Sequence, residues 1–262
     1  MFGLLNQEKL IPLRYCPLQI QLELVNNAAD AVYVSMAAAD EKYTDNWDVS
    51  DIQCKLDLLE LDSALSNEYT SHLLSGKTLP INFSTWNHTN QSTGLDKNFS
   101  AHINRALTRL KSVFITLHST DGEGYKQANK FFHPVDTRAV DSALIDDEHQ
   151  YWIQIGSKIV PEYPVKGIAE SLSQLRKTVG GSFQMYARWY RTSKYIIGLD
   201  LEKVSGAGFT GMSTKAGDLL TLNFRDCNVP EIELLSIPSR VFCALHYECV
   251  LNIKESGVEL LD

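Results

Sequence analysis

Cys243, His246 and Cys249 stand three residues apart near the end of the chain, and they are residue types that hold zinc. Their segment, Arg240 to Ile253, alternates in the manner of a strand. On a strand Cys243 and Cys249 face one way and His246 the other, so the three cannot converge on one ion. They read as buried thiols and a hydrogen-bonded imidazole. Glu68 and His72, four apart on a predicted helix, share a face, but no second ligand pair accompanies them and they read as a solvated surface. Gly206-Ala207-Gly208-Phe209-Thr210-Gly211 matches the glycine fingerprint of a dinucleotide loop. Such a loop must open a helix whose amides take the pyrophosphate. Here Met212 to Asp218 contains Gly217 and leads into strand-like Leu219 to Leu222, so the segment reads as a tight loop. Asp146-Asp147-Glu148 reads as solvated carboxylates, and Arg105, Arg109 and Lys111 as the wet face of a strand. No Gly-x-Ser-x-Gly elbow frames a serine. The sequence offers no catalytic residue, no cofactor-binding residue and no metal ligand.

The elements that would position these residues are mostly strands. Leu18, Ile20, Leu22 and Leu24 alternate with Gln19, Gln21 and Glu23, which predicts a half-buried antiparallel strand over Pro17 to Val25. Ala31 to Met36 is its predicted partner, and Lys42 to Ser50 a linker. Ile52, Cys54, Leu56 and Leu58 predict another strand. Asp62-Ser63 then caps a helix that runs to Leu74 and stops at Gly76. A short strand over 81–83, a loop over 87–97 and strands within 99–118 follow. Residues 121–147 form a long polar excursion. Strands are predicted over 150–155, 183–190, 194–201, 218–224 and 240–253, with an extended stretch at Pro161 and Pro164 and a helix over 166–179. Many strands, two short helices and no βα rhythm predict an antiparallel sandwich.

Composition narrows the function classes. The chain has 262 residues, 44% of them hydrophobic and 21% charged, which is ordinary globular composition. A formal net charge of −8 without a basic block argues against direct nucleic-acid binding. No stretch approaches 18 uncharged apolar residues, so no membrane span is expected. Met1 to Leu5 meets charge at Glu8 and Lys9, which leaves no apolar core for a signal peptide. Five scattered cysteines predict a reducing compartment. The sequons at Asn82, Asn87, Asn90 and Asn98 are then chance matches in an Asn/Ser/Thr-rich loop.

Several short blocks, in order, resemble those of double jelly-roll major capsid proteins. They are Leu73 to Phe83, Leu107 to Phe114, Ile155 to Pro164, Gln174 to Thr178, Gly208 to Gly211, Lys215 to Thr221 and Ser256 to Val258. The nearest likeness is to capsid proteins of polinton-like viruses, relatives of the nucleocytoplasmic large DNA viruses. The resemblance implies an antiparallel jelly-roll sandwich with short helical insertions over 45–262. Residues 1–44 would be remnant closing strands of a first jelly roll whose start is missing. It also implies a structural, non-enzymatic role, with homotrimers forming pseudo-hexameric capsomers that meet neighbouring capsomers. Location would be the virion, and the host cytoplasm or nucleus during assembly.

A lectin-like binding sandwich is the alternative, and a cupin-type metalloenzyme a third reading that needs His and carboxylate ligands converging on neighbouring strands, whereas His72, His88, His102, His118 and His133 fall mostly in predicted helix or loop. Tyr151-Trp152 and Phe183 to Tyr190 read as core before interface; loops 87–98 and 121–147 read as interface. Orphan strands at 18–36 would make the chain associate on expression, and deleting residues 1–40 should relieve it.

Overall fold

The structure is a computed structural model describing residues 3–24, 32–34, 42–44, 46–94, 96, 98–118, 149–180, 184–187, 190, 194–202, 204, 210–215, 219–227 and 240–262. Its elements are β1 (Val32–Val34), β2 (Lys42–Thr44), α1 (Ser63–Leu74), β3 (Leu79–Ser92), β4 (Phe99–Ile103), β5 (Leu110–His118) and β6 (Gln150–Ile155). They continue with β7 (Lys158–Lys166), α2 (Gly167–Val179), β8 (Ile197–Asp200), β9 (Leu220–Arg225), β10 (Arg240–Lys254) and β11 (Gly257–Leu261). Local chemistry sets the helix ends. Asp62 caps α1, its carboxylate accepting the Leu65 amide at 2.8 Å. Gly76, at φ 77°, turns the chain out of α1 in a conformation that favours glycine.

Strand pairing identifies the architecture. One sheet runs β11-β10-β5-β8, with β3 also on β10, and the other runs β4-β9-β6-β7. From β3 to β10, the first strand pairs with the last, β4 with β9, β5 with β8 and β6 with β7. That is a single long hairpin. Two further antiparallel ladders, β10 with β5 and β9 with β6, roll it into two sheets. This winding is a jelly roll, and the fold is an antiparallel β-sandwich with short helices.

The chain divides into two compact units: Met1–Phe83 with Cys249–Leu261, and Ser84–Glu248 with Asp262. In the second unit each sheet has a dry side. Phe99, Ala101 and Ile103 of β4, Tyr151, Ile153 and Ile155 of β6, and Leu220, Leu222 and Phe224 of β9 are buried, as are Val241, Cys243, Leu245 and Tyr247 of β10. The first unit has a smaller core in which Cys16, Ile81, Leu251 and Ile253 take Leu4, Ile11, Tyr15, Leu79 and Phe83.

Several expectations are corrected. Residues 17–24 and 51–58 lie in no strand, and their alternating apolar residues are exposed: Leu22 is 60% and Leu58 72% accessible. Alternation shows what a strand would bury, but a strand also needs a ladder partner. Val32–Val34 pairs with Lys42–Thr44 rather than with 17–25, so part of the predicted linker is a strand. The 87–97 loop is largely the second half of β3, which places the Asn82, Asn87 and Asn90 sequons on a strand. Of 183–190, the described residues 184–186 are irregular, and 187 and 190 are helical. The excursion 121–147 and Asp146-Asp147-Glu148 lie outside the described residues.

Candidate assembly surfaces

The outward side of the β10/β5 ladder carries aromatic residues where a solvated sheet face would be polar. Along β10 the alternate positions Phe242, Ala244, His246 and Glu248 point away from the buried set, and Phe114 lies opposite Ala244 on β5. Phe242 and Phe114 are thus diagonal neighbours on one face. Trp86 of β3 lies over this face, its ring 4.5 Å from His246 in a near-parallel stack and 5.5 Å from Phe114. Trp86 is 45% exposed and Phe242 37%. Aromatic residues are enriched at interface centres, which makes this face a candidate contact surface.

Charge organises the end of the same face. Lys111 Nζ lies 2.8 Å from Glu202 and 3.2 Å from Glu248. Burial pulls the Lys111 ammonium down, but hydrogen bonds and charge from the two glutamates outweigh it and leave its pKa raised. His246 lies 3.3 Å from Ser112 Oγ. Burial first, and the Lys111 charge second, hold its imidazole below the ordinary histidine range against the pull of Glu202 and Glu248.

The outward side of the β6/β9 ladder is polar, with one large ring. Trp152 is half-buried opposite Asn223, and the Arg225 guanidinium lies 5.0 Å from its centroid. Ser100 donates to Asn223 Oδ1 at 2.8 Å, and His102 Nδ1 meets Thr221 at 3.1 Å. Trp152 is therefore a surface residue and its neighbour Tyr151, 1% exposed, is the core one. Behind Tyr151 lie Tyr190, Tyr195, Ser171 and a fully buried pair, His149 and Cys227, whose ring nitrogen and sulfur are 3.2 Å apart. Burial pushes the Cys227 thiol up, so it is protonated at neutral pH and a poor nucleophile.

The residues with candidate chemistry sort as follows. Cys243 and Cys249 are buried on one side of β10 and His246 stands on the other, as their spacing implies. Among the described residues no three His, Cys, Asp or Glu side chains come together to hold a metal. His88, His102 and His118 sit on strands rather than in helix or loop. Arg105 is not on a strand; it lies 3.7 Å from the Asp262 carboxylate. Residues 206–209 of the glycine motif lie outside the described residues, but no helix follows in 210–215. Gly211 has a packing reason: a Cβ there would come within 2.6 Å of the Arg109 carbonyl carbon and 2.7 Å of the Leu110 oxygen. This closeness lets Leu110 and Met212 exchange two backbone hydrogen bonds of 2.9 Å. Trp86 and Phe242 were not singled out by the sequence reading. For Phe242 the signal was present, since it is an aromatic residue on the polar parity of β10.

No protein-family model matches the chain, and no curated protein does. Among solved structures it is similar to PBCV-1 VP54, solved in crystals and fitted into a reconstruction of the virophage Sputnik. That likeness has 10% identity and a TM-score of 0.47, and covers 77% of this chain and 55% of that one. It is similar to the PBCV-1 virus capsid at 12% and 0.47, covering 74% and 54%, and to the Sputnik virophage structure at 11% and 0.37, covering 70% and 39%. The chain spans about half the length, or less, of these structures. Among the described residues no helix is long and apolar enough to cross a membrane.

Proposed function

We propose that this chain is a structural capsid protein whose jelly roll, within residues 45–262, is a shell-building body, and that residues 1–44 belong to the closing part of a preceding roll. The observation that carries the reading is the strand order: first with last, β4 with β9, β5 with β8 and β6 with β7. The blocks that resemble capsid proteins fall on this frame in sequence. Leu73 to Phe83 joins α1 to β3, Leu107 to Phe114 enters β5, Ile155 to Pro164 is the β6–β7 hairpin, and Lys215 to Thr221 enters β9. In this reading homotrimers form pseudo-hexameric capsomers in the virion, and the protein works through contact surfaces instead of a catalytic site.

The aromatic face of Trp86, Phe114 and Phe242 is the surface assigned to subunit contact, because burying exposed aromatic rings is the main gain such contacts offer. Mass photometry of the purified full chain tests it. Particles of three chain masses, or multiples of three, are expected, and Trp86→Asp with Phe242→Asp should return them to smaller species without loss of folded signal. If the double variant keeps the parent's mass distribution, this face is not the contact.

A further inference from the structure

His246 stands within the outward β10/β5 face, directly against its aromatic rings. Trp86 stacks on the imidazole at 4.5 Å, and Ser112 Oγ lies 3.3 Å from Nδ1. Phe114 is the next outward residue of β5 beyond Ser112. The ring is partly buried in the single chain already, while Trp86 and Phe242 keep part of their surface in water. Charged and titratable neighbours come from each adjoining strand. Lys111 holds Glu202 and Glu248 at 2.8 and 3.2 Å, and Asp200 of β8 lies opposite Ser112. His88 stands two residues beyond Trp86 on β3 and is exposed.

We propose that His246 gates this face: copies of the chain join over a neutral imidazole, and its protonation weakens their contact. The gate rests on the assignment of the Trp86 face to subunit contact. Two effects of opposite sign act on the proton. A cationic ring stacked on an indole gains cation–π attraction, which favours the charged form. Removal of water from the ring disfavours it. In the single chain the second effect wins. Trp86 is already stacked and both glutamates pull upward, yet burial and the Lys111 charge hold the imidazole below the ordinary histidine range.

A copy that covers Trp86 and Phe242 takes further water from the same ring. The covered imidazole then accepts its proton at lower pH than the uncovered one. Between those two pH values the separate chain binds the extra proton, so association is complete above that window and weakens as pH falls through it. The charge of the whole chain works in the opposite direction. At neutral pH each copy carries a formal net charge of −8, and acid removes that repulsion. The sign of the pH effect therefore separates the gate from general electrostatics.

Sedimentation of the full chain over a concentration series tests the gate. It is run at about pH 7.5 and at the lowest pH, down to about 5.5, at which circular dichroism shows every variant folded, with ionic strength held constant. The readout is the ratio of association constants at the two pH values within each variant, so a change in the strength of the contact itself cancels. The parent should associate at least about tenfold more weakly in acid, since each pKa unit by which the contact lowers a histidine is worth up to about tenfold per site. His246→Gln should lose that drop and associate as tightly in acid, or more tightly. His88→Gln, exposed on the same side of β3, should keep the parent's drop. A drop that survives His246→Gln, or one that vanishes in His88→Gln, would overturn the gate. So would a parent whose association strengthens in acid. Trp86→Asp with Phe242→Asp at pH 7.5 reads the contact assignment separately. Copies that separate in that variant, while the parent shows no acid weakening, would leave the contact standing and overturn the gate alone. A parent that stays single at pH 7.5 would overturn both.

Discussion

Burial of His246 should make the stability of this fold depend on pH. Burial and the Lys111 charge hold its imidazole down, so the folded chain takes the proton at lower pH than the unfolded chain, whose histidine titrates near 6.5. Between those pH values the unfolded state binds the extra proton. Stability is therefore complete above about 6.5 and falls as pH drops through that window. Replacing His246 by Gln should flatten this slope, as read from melting temperatures between about pH 7.5 and pH 5.5; an unchanged slope would contradict it. Lys111→Met leaves Glu202 and Glu248 facing one another without their shared cation. A loss of about 1–3 kcal/mol is expected by chemical denaturation, discounted because the groups keep some solvent. The neighbouring rings Tyr151 and Trp152 separate core from surface. Tyr151→Ala should cost about 3–5 kcal/mol and Trp152→Ala about 1–2, the latter reflecting partial burial and the Arg225 contact. Equal costs would place Trp152 in the core after all.

Among the elements, those with a partner were the legible ones. Alternation in 99–103, 150–155 and 240–253 became ladders because each strand has a neighbour to receive its amides. Helices α1 and α2 were legible as well, through Asp62, Gly76 and the apolar spacing of Leu172 and Leu175. The same alternation at 18–24 and 52–58 produced no strand, since pattern specifies a face and pairing specifies a ladder. The outer half of β3 went the other way: Asn87 to Ser92 is polar and turn-like by composition, and sheet pairing overrides that. The candidate surface was legible only in part. The scatter of cysteines and histidines over opposite faces followed from strand parity, whereas Trp86 meets His246 across a sequence gap that no local pattern reports. The glycines mark close packing. A Cβ at Gly198 would meet Leu175 Cδ1 at 2.8 Å, where α2 crosses β8, and at Gly211 it would strike backbone. Gly211→Ala should therefore destabilise more than Gly198→Ala, whose contact is the end of a flexible side chain. Thermal melts of the two variants would check the order.

For the whole molecule, exposed apolar segments and a net charge of −8 act against each other. Self-association should strengthen as salt screens the repulsion, which sedimentation at low and high ionic strength would show. Truncation of residues 1–40 is not the way to relieve it. Leu4, Ile11, Tyr15 and Cys16 pack on Ile81 and Ile253, so removing them would uncover a core. The central proposal is that copies of this chain assemble through the Trp86 face. Cryo-electron microscopy of the associated full chain tests that most directly. Class averages with three jelly-roll bodies around a three-fold axis, meeting at the Trp86 face, are the expected result. Particles that remain single jelly rolls at every concentration would contradict it.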